Sequence, residues 1–381
     1  MSLAGDMQNV THASAAPHAA TAPASSAKLA AEDALQAGVA SGYRQLNLRR
    51  ALWLVALAGL IVMALAMDFT HGPSALGWRE LWRTLVTPAA ASPDAQVIVW
   101  QIRLPYALMA VLVGGSLGLA GGEMQTILDN PLASPYTLGV SAAAAFGAAL
   151  AIVLNLHVPG VPDSWVVPVN AFLFALASAL ILDGVARWRG LPTSGVVLMG
   201  IALVFVFHAL VSLMQFVATE DALQGLVFWT LGSLTRSDWT QVRVLAAVLA
   251  IMAVFAWRQS WAMTALRLGE ERAASFGIRV GRLRLMTLMR VSLLSALTVS
   301  FVGTIGFVGL VAPHIARGLF GEDHRFYLPG CLIVGALVMS LASIASKTLL
   351  PGVIIPVGIV TALVGIPFFL VIVVRASGRS L

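Results

Sequence analysis

The chain has 381 residues, of which 59% are hydrophobic and only 10% are charged, whereas an ordinary soluble domain carries about 25% charged residues. A water-soluble fold of this size could not bury so much apolar surface, so the composition excludes a soluble globular protein and favours one that spans a bilayer. The net charge of +6 does not indicate a nucleic-acid-binding protein, because the arginines lie between hydrophobic runs and form no basic stripe.

Residues 1–45 differ from the rest of the chain. They are rich in alanine, serine and threonine and have almost no large apolar side chain to anchor a fold. This composition is typical of disorder, and the segment lacks the basic start and apolar core of a signal peptide. We predict a disordered cytoplasmic tail over 1–45 and a transmembrane domain over 46–381.

Nine apolar runs follow, each read as a membrane span, which needs about 20 residues. They lie at about 50–67, 102–121, 137–155, 166–186, 193–217, 241–257, 285–303, 326–346 and 355–374. A piece at 308–319 contains Pro313 and is too short to span alone. The predicted fold is all-α: a polytopic membrane bundle of about ten helices, nine spans plus one short half-helix.

The arginines predict the orientation of this bundle. If the N-terminal tail is cytoplasmic, most arginines fall in cytoplasmic segments, with six of them between Arg258 and Arg284. The outer segments keep only Arg79, Arg83, Arg103, Arg236, Arg243 and Lys347. This excess fits the positive-inside rule and places both termini in the cytoplasm.

Two kinds of chemistry are not indicated by the sequence. Lys28 and Lys347 are its only lysines, and neither stands in a G-x-x-x-x-G-K-S/T phosphate-binding loop. The histidines do not pair with a second ligand at the spacing that zinc sites favour. We therefore predict no catalytic residue, no metal site and no cofactor bound by this chain, and hence a protein that is not an enzyme.

Ionisable side chains within apolar runs are costly in lipid and often mark a pathway. Glu123 lies near the inner end of the second run, His208 lies in the middle of the fifth, and Met214 follows in the same run. These three are candidate pathway residues, with a packing hydrogen bond as the alternative for Glu123. The scarcity of acidic residues at mid-span counts against an ion-coupled carrier.

Several motifs follow one another in a characteristic order. They lie at 99–105 (VWQIRLP), 122–125 (GEMQ), 130–135 (NPLASP), 138–141 (LGVS), 268–277 (LGEERAASFG), 303–314 (GTIGFVGLVAPH) and 355–369 (IPVGIVTALVGIPFF). This order resembles the FecCD family of permeases, which are membrane subunits of type II ATP-binding-cassette (ABC) importers for ferric siderophores, haem and cobalamin. The resemblance covers about residues 46–381.

The resemblance implies a cobalamin-importer-permease-like fold of ten helices in the bacterial inner membrane. It implies that two permease copies, here a homodimer, line a central pathway within the lipid bilayer. Two ATPase subunits, which use ATP and magnesium, would dock on the cytoplasmic side, and a periplasmic substrate-binding protein would dock outside. No nucleic-acid partner is implied.

The resemblance also assigns roles to particular residues. The segment that would couple to the ATPase consists of Leu268, Gly269, Glu270, Glu271, Arg272, Ala273, Ala274, Ser275, Phe276 and Gly277. The cytoplasmic gate would consist of Asn130, Leu132, Thr193 and Ser194. Pro131 excludes a continuous helix at the first two gate positions.

In cobalamin-type members, outward-facing arginines meet acidic residues of the binding protein. Arg103 and Lys347 match two of those positions, and Tyr106 stands where the pattern has a third arginine. Ser343 stands where many members carry an aspartate, four residues before the cation. We expect Arg103 and Lys347 to steer docking by their charge.

The resulting hypothesis is a permease for an iron chelate of the ferric siderophore type. Haem and cobalamin are the alternative cargoes within the family, since His208 and Met214 could suit haem iron, although at six residues apart they do not share a helix face cleanly. An ion-coupled secondary carrier and a membrane scaffold without transport activity are the alternatives from other classes.

Overall fold

A computed structural model describes residues 22–72, 76–156, 159–189 and 193–377. The chain falls into two units, Met1–Arg49 and Arg50–Leu381. In the described residues seven helical segments are long and apolar enough to cross a membrane: Ser41–Thr70, Pro93–Ile127, Asp163–Ala186, Ser194–Val217, Trp239–Arg258, Val280–Val302 and His324–Thr348. Three shorter apolar helices are Val140–Val153, Val308–Phe320 and Val357–Val371. The predicted all-α polytopic bundle of about ten apolar helices is confirmed.

Short helices on the surface connect these apolar helices. In chain order the helices are α1 (Ala22–Thr70), α2 (Trp78–Val86), α3 (Pro93–Gln96), α4 (Leu104–Ile127), α5 (Val140–Val153), α6 (Asp163–Trp188), α7 (Thr193–Val217), α8 (Glu220–Thr230), α9 (Trp239–Arg258), α10 (Ser260–Leu266), α11 (Glu270–Ser275), α12 (Val280–Val302), α13 (Val308–Phe320), α14 (His324–Thr348) and α15 (Val357–Ser377). A π-helical segment, Val97–Arg103, joins α3 to α4, so that one continuous span results.

Helix α1 begins at Ala22, inside the segment predicted to be a disordered tail. Residues 22–45 are helical, and their many alanines explain this, because alanine has the highest intrinsic helix propensity. Helix α1 thus starts before the predicted boundary at residue 46, and a cytoplasmic tail that precedes the transmembrane domain stays a prediction. Residues 1–21 lie outside the described part of the chain.

The run at 137–155 forms a shorter helix than predicted. Helix α5 has 14 residues, about 21 Å at 1.5 Å per residue, and does not by itself match a hydrocarbon core about 30 Å thick. The helix begins only at Val140, because Gly139 adopts φ +87°, a conformation outside the helical region, immediately before it. The short piece at 308–319 forms α13 as predicted, beginning after Phe307 at φ 68°.

Helix α4 lies at the centre of the second unit and is buried along most of its length. Its glycines allow close approach of the neighbouring helices. A Cβ atom at Gly118 would collide with the carbonyl of Cys331 in α14, and one at Gly121 would collide with the carbonyl of Gly309 in α13. Lipid supplies no hydrophobic drive for helix association, so such close backbone contact is what holds the bundle together.

Candidate functional site

The predicted coupling segment forms a short surface helix, α11. Gly269 and Gly277 flank it at φ +103° and +82°, values that L side chains rarely adopt. Ala273 is buried against the bundle, whereas Leu268 and Phe276 expose more than half of their surface. The segment therefore presents two apolar side chains among charged ones, and its docking on an ATPase stays a prediction.

An arginine of α12 fixes this helix to the bundle. The Arg284 Nη2 atom lies 2.6 Å from the Glu270 Oε1 atom, and its Nε atom donates to the Ile127 carbonyl at 3.2 Å. Ile127 is the last residue of α4 and lies three positions before Asn130. Arg284 thus links the start of the coupling helix to the end of α4. We call this end of the bundle, which carries α11 and Ile127, the coupling end.

The first two predicted gate residues, Asn130 and Leu132, lie in the loop that follows α4, and we call residues 128–139 the gate loop. The Asn130 side-chain oxygen accepts a hydrogen bond from the Leu132 amide at 2.9 Å, an Asx turn of the kind that precedes or replaces a helix end. Leu132 is exposed. Ser194 lies in the first turn of α7 and is exposed, and the side chain of Thr193 lies outside the described residues.

The gate loop and the coupling segment line one cavity of about 760 Å³. Its lining includes Asp129, Asn130, Ser194, Arg267, Leu268, Gly269, Glu270 and Arg284. Residues that are more than a hundred positions apart in sequence are therefore neighbours at the coupling end. The structure brings together two predicted elements that the sequence could only assign separately.

The predicted docking residues lie at the other end of α4 and α14. The Lys347 Nζ atom lies 3.0 Å from the Asp68 Oδ2 atom, with side chains only 4% and 1% exposed. Ser343 donates to the Asp68 Oδ1 atom at 2.6 Å, and the ring of Tyr106 lies 3.9 Å from the Lys347 ammonium. We call these four residues the Asp68 cluster.

Both predicted docking cations also bind the C-terminal carbonyls of α1. Lys347 donates to the Asp68 carbonyl at 3.1 Å, and Arg103 donates to the Phe69 and Thr70 carbonyls at 3.2 and 2.9 Å. Cations at a helix C-terminus stabilise its unsatisfied carbonyls and its dipole. Arg103 is buried and the side chain of Lys347 is only 4% exposed, so they are not the exposed rim charges that the sequence led us to expect. Their contact with a binding protein stays a prediction.

The candidate pathway residue His208 is exposed on α7 and lines a pocket of about 290 Å³. The other polar residues of this pocket are Tyr136, Ser141, Ser212, Gln215, Thr230 and Thr304. Met214 instead is buried and packs with Ala149 and Leu226. The structure therefore does not bring His208 and Met214 together into one site.

The candidate pathway residue Glu123 forms a buried ion pair with Arg290. The Arg290 Nη2 atom lies 2.5 Å from the Glu123 Oε1 atom, with side chains 7% and 0% exposed. Arg290 also donates to the Gln259 Oε1 atom at 2.9 Å and to the Thr287 hydroxyl at 3.0 Å. The pair joins α4 to α12 and to the residue between α9 and α10. Glu123 is not among the residues that line the His208 pocket.

Besides Arg284, sequence reasoning missed four charged residues of the coupling end: Asp129, Arg267, Arg317 and Glu322. Arg267 pairs with Asp129 and with Glu322, where its Nε atom lies 3.3 Å from the Oε2 atom. Arg317 lies 2.9 Å from the same Glu322 carboxylate. Only their positions in the sequence could have indicated a role: Asp129 directly precedes the Asn-Pro motif, and Arg267 directly precedes the coupling segment.

Known proteins resemble the chain over most of its length. An ABC transporter permease protein of Methanocaldococcus jannaschii is 37% identical over 293 residues, 75% of this chain and 84% of the relative. The vitamin B12 import system permease protein BtuC of Escherichia coli is 35% identical over 334 residues, 88% of this chain and 98% of the relative. The hemin transport system permease protein HmuU of Yersinia pestis is 33% identical over 317 residues, 83% of this chain and 93% of the relative.

The fold also matches a solved structure, described as an inward-facing conformation of a metal-chelate type ABC transporter. The TM-score is 0.74 at 30% sequence identity, and the match covers 85% of this chain and 99% of the other. The FecCD transport family matches residues 55–375. With its helical membrane bundle, its motif order and these relatives, the chain belongs to the FecCD transport family of ABC permeases.

Proposed function

We propose that the chain is the membrane-spanning subunit of an importer that carries a ferric chelate of the siderophore type across the bacterial inner membrane. Partner ATPase subunits bind ATP and magnesium, and this chain supplies the pathway, with both termini cytoplasmic. The observation that carries the proposal is the single cavity shared by the gate loop and the coupling segment. Because the two segments are neighbours in this cavity, a movement of α11 can displace the predicted gate residues directly.

Pairing with a second copy of the chain is supported by α7. This helix is long and apolar enough to span the membrane, yet His208, Ser212 and Gln215 line a polar pocket on its surface. Polar groups at membrane depth face protein or a water-filled cavity rather than lipid. In a homodimer, the α7 faces that carry His208, Ser212 and Gln215 would surround a central pathway and would therefore not contact lipid.

A chelate is the proposed cargo for two reasons. The solved structure with the same fold is described as a metal-chelate type transporter. The His208 pocket presents hydroxyl, amide and imidazole groups that can hydrogen-bond to the oxygen atoms of a chelate. Haem and vitamin B12 stay the alternative cargoes, because relatives at similar identity carry those names.

A periplasmic binding protein is proposed to dock at the end that carries Arg103, Tyr106 and Lys347. Since Arg103 and Lys347 are buried in contacts with α1, they shape this surface rather than project from it. The arginines Arg79 and Arg83 of α2 are exposed on the outer side predicted by the orientation. They can provide the charge that steers association.

The coupling role is tested by Glu270→Arg and Ala273→Trp. The first replaces the carboxylate that pairs with Arg284, and the second forces a large ring into a buried position. We expect both variants to reduce chelate transport per ATP hydrolysed by about fivefold or more, the lower range of allosteric coupling. Transport and ATPase activity are measured in proteoliposomes that contain the permease and its ATPase.

The control is Glu220→Arg, which reverses an exposed acidic residue on α8 and should leave the ratio of transport to hydrolysis unchanged. If Glu270→Arg and Ala273→Trp both keep the wild-type ratio, the segment 268–277 is not the coupling element.

A further inference from the structure

Arg267 occupies the connection between α10 and the coupling helix. It follows the last residue of α10, and its backbone N–H donates to the Thr264 carbonyl at 3.2 Å. Two residues later the chain turns at Gly269 into α11. Any displacement of α11 by a docked ATPase therefore acts on Arg267 through only two intervening residues.

The guanidinium of Arg267 reaches two other parts of the chain. One side binds the Asp129 carboxylate in the gate loop. The other side binds Glu322 in the turn between α13 and α14, at 3.3 Å, and Glu322 is held in turn by Arg317 at 2.9 Å. An arginine can serve two carboxylates because its five N–H donors point in fixed, divergent directions.

We propose that Arg267 is the positioning residue that transmits movement of the coupling helix to the gate through its ion pair with Asp129. This assignment rests on the proposed function and names the ion pair, here called the link, that connects the coupling helix to the gate loop. No motif of the family resemblance includes either residue. Glu322 is the fixed side of the link, and Asp129 is the side that moves with the gate.

The backbone of the gate loop supports this assignment. Asp129 adopts φ 43°, a left-handed conformation that is sparsely populated by residues other than glycine. It immediately precedes Asn130, whose side chain organises the turn to Leu132. A change in the contact that Asp129 makes therefore alters the backbone directly at the gate turn.

Exposure distinguishes this ion pair from the structural one in the core. The side chains of Arg267 and Asp129 are 28% and 81% exposed, whereas Glu123 is fully buried with Arg290. Exposed ion pairs contribute little to folding stability, so the Arg267 pair can break and form again without unfolding the bundle. Such an ion pair can therefore connect two parts of the chain that move relative to each other.

The test uses a fluorescent maleimide at the gate and needs no cargo. Cys331 is the chain's one cysteine and is buried, so the Leu132→Cys variant provides one exposed labelling position. In the permease with its ATPase, we measure the ratio of labelling rates with and without ATP and vanadate. Arg267→Gln and Asp129→Asn should each reduce this ratio to about one, the value for a ligand that no longer shifts the gate.

Two further variants and two further measurements make the result specific. Arg258→Gln removes another exposed arginine, at the end of α9, and should keep the wild-type ratio. The double variant Arg267→Gln with Asp129→Asn should behave like either single variant, since coupled residues are not additive. ATP hydrolysis and thermal stability should stay at wild-type values in all of them.

If Arg267→Gln and Asp129→Asn keep the nucleotide-dependent ratio, or if their effects add in the double variant, the proposal is wrong. A loss of thermal stability in both single variants would also overturn it, because it would show a structural pair. If the Leu132→Cys chain without further changes shows no nucleotide dependence, the proposed function fails, and the link fails with it.

Discussion

Glu123→Ala is expected to lower the free energy of unfolding by about 3–5 kcal/mol, the cost of leaving one partner of a buried ion pair without the other. Arg290 would keep its bonds to Gln259 and Thr287 but would lose the carboxylate that neutralises it. Arg290→Ala should have an effect of similar size. The change in stability is measured by heating the purified chain in detergent and monitoring the loss of its monodisperse chromatographic peak.

The matched control replaces both partners, Glu123→Gln with Arg290→Met. Replacing a buried ion pair by uncharged groups of similar volume is often close to neutral, so the double variant should recover most of the lost stability. The alternative interpretation of Glu123, a pathway residue, predicts the opposite pattern. Glu123→Ala would then reduce transport while thermal stability stayed at the wild-type value.

Asp68→Ala is the second substitution with a large expected effect, again about 3–5 kcal/mol. It removes the carboxylate from Lys347, whose side chain is 4% exposed and whose ammonium would retain, among the described residues, the Asp68 backbone carbonyl and the ring of Tyr106. The end of α1 that carries Asp68 should then separate from α14. Thermal unfolding and protease accessibility near residue 70 measure the two effects.

A rescue variant makes this prediction specific. In the family pattern the aspartate stands at position 343, four residues before the cation, where a helix brings the two side chains together. Asp68→Ser combined with Ser343→Asp moves the carboxylate to that position and should restore most of the stability. If Asp68→Ala leaves the unfolding temperature unchanged, or if the combined variant is no better than Asp68→Ser alone, the Asp68 cluster does not hold α1.

The sequence was sufficient for those features that are local. The segments 268–277 and 130–135 are contiguous motifs with glycines or prolines near their ends, so their positions could be predicted from the sequence, while their roles in coupling and gating stay predictions. Seven of the nine predicted spans have a helix long and apolar enough to cross a membrane, whereas the runs at 137–155 and 355–374 contain the shorter apolar helices Val140–Val153 and Val357–Val371. Helix α5 is shorter than the apolar run at 137–155 because residues 137–139 belong to the preceding loop, which hydropathy alone does not reveal.

The ion pairs could not be predicted because they join distant positions. Glu123 and Arg290 are 167 positions apart, and Lys347 and Asp68 are 279 apart. The sequence showed Lys347 without the aspartate usual at 343 and led us to expect a free charge. The structure supplies that carboxylate from α1 instead, and the lysine becomes part of the packing.

We propose that this permease works only with an ATPase partner and carries a ferric chelate. The direct test is uptake of a radiolabelled ferric hydroxamate chelate into proteoliposomes that contain the chain, its ATPase and its binding protein, with ionophores present to collapse ion gradients. We predict uptake that requires ATP and the ATPase and that excess unlabelled haem or cobalamin does not inhibit. Uptake by the chain alone under an imposed ion gradient, without ionophores or ATPase, would contradict this function, and inhibition of chelate uptake by haem or cobalamin would contradict the cargo.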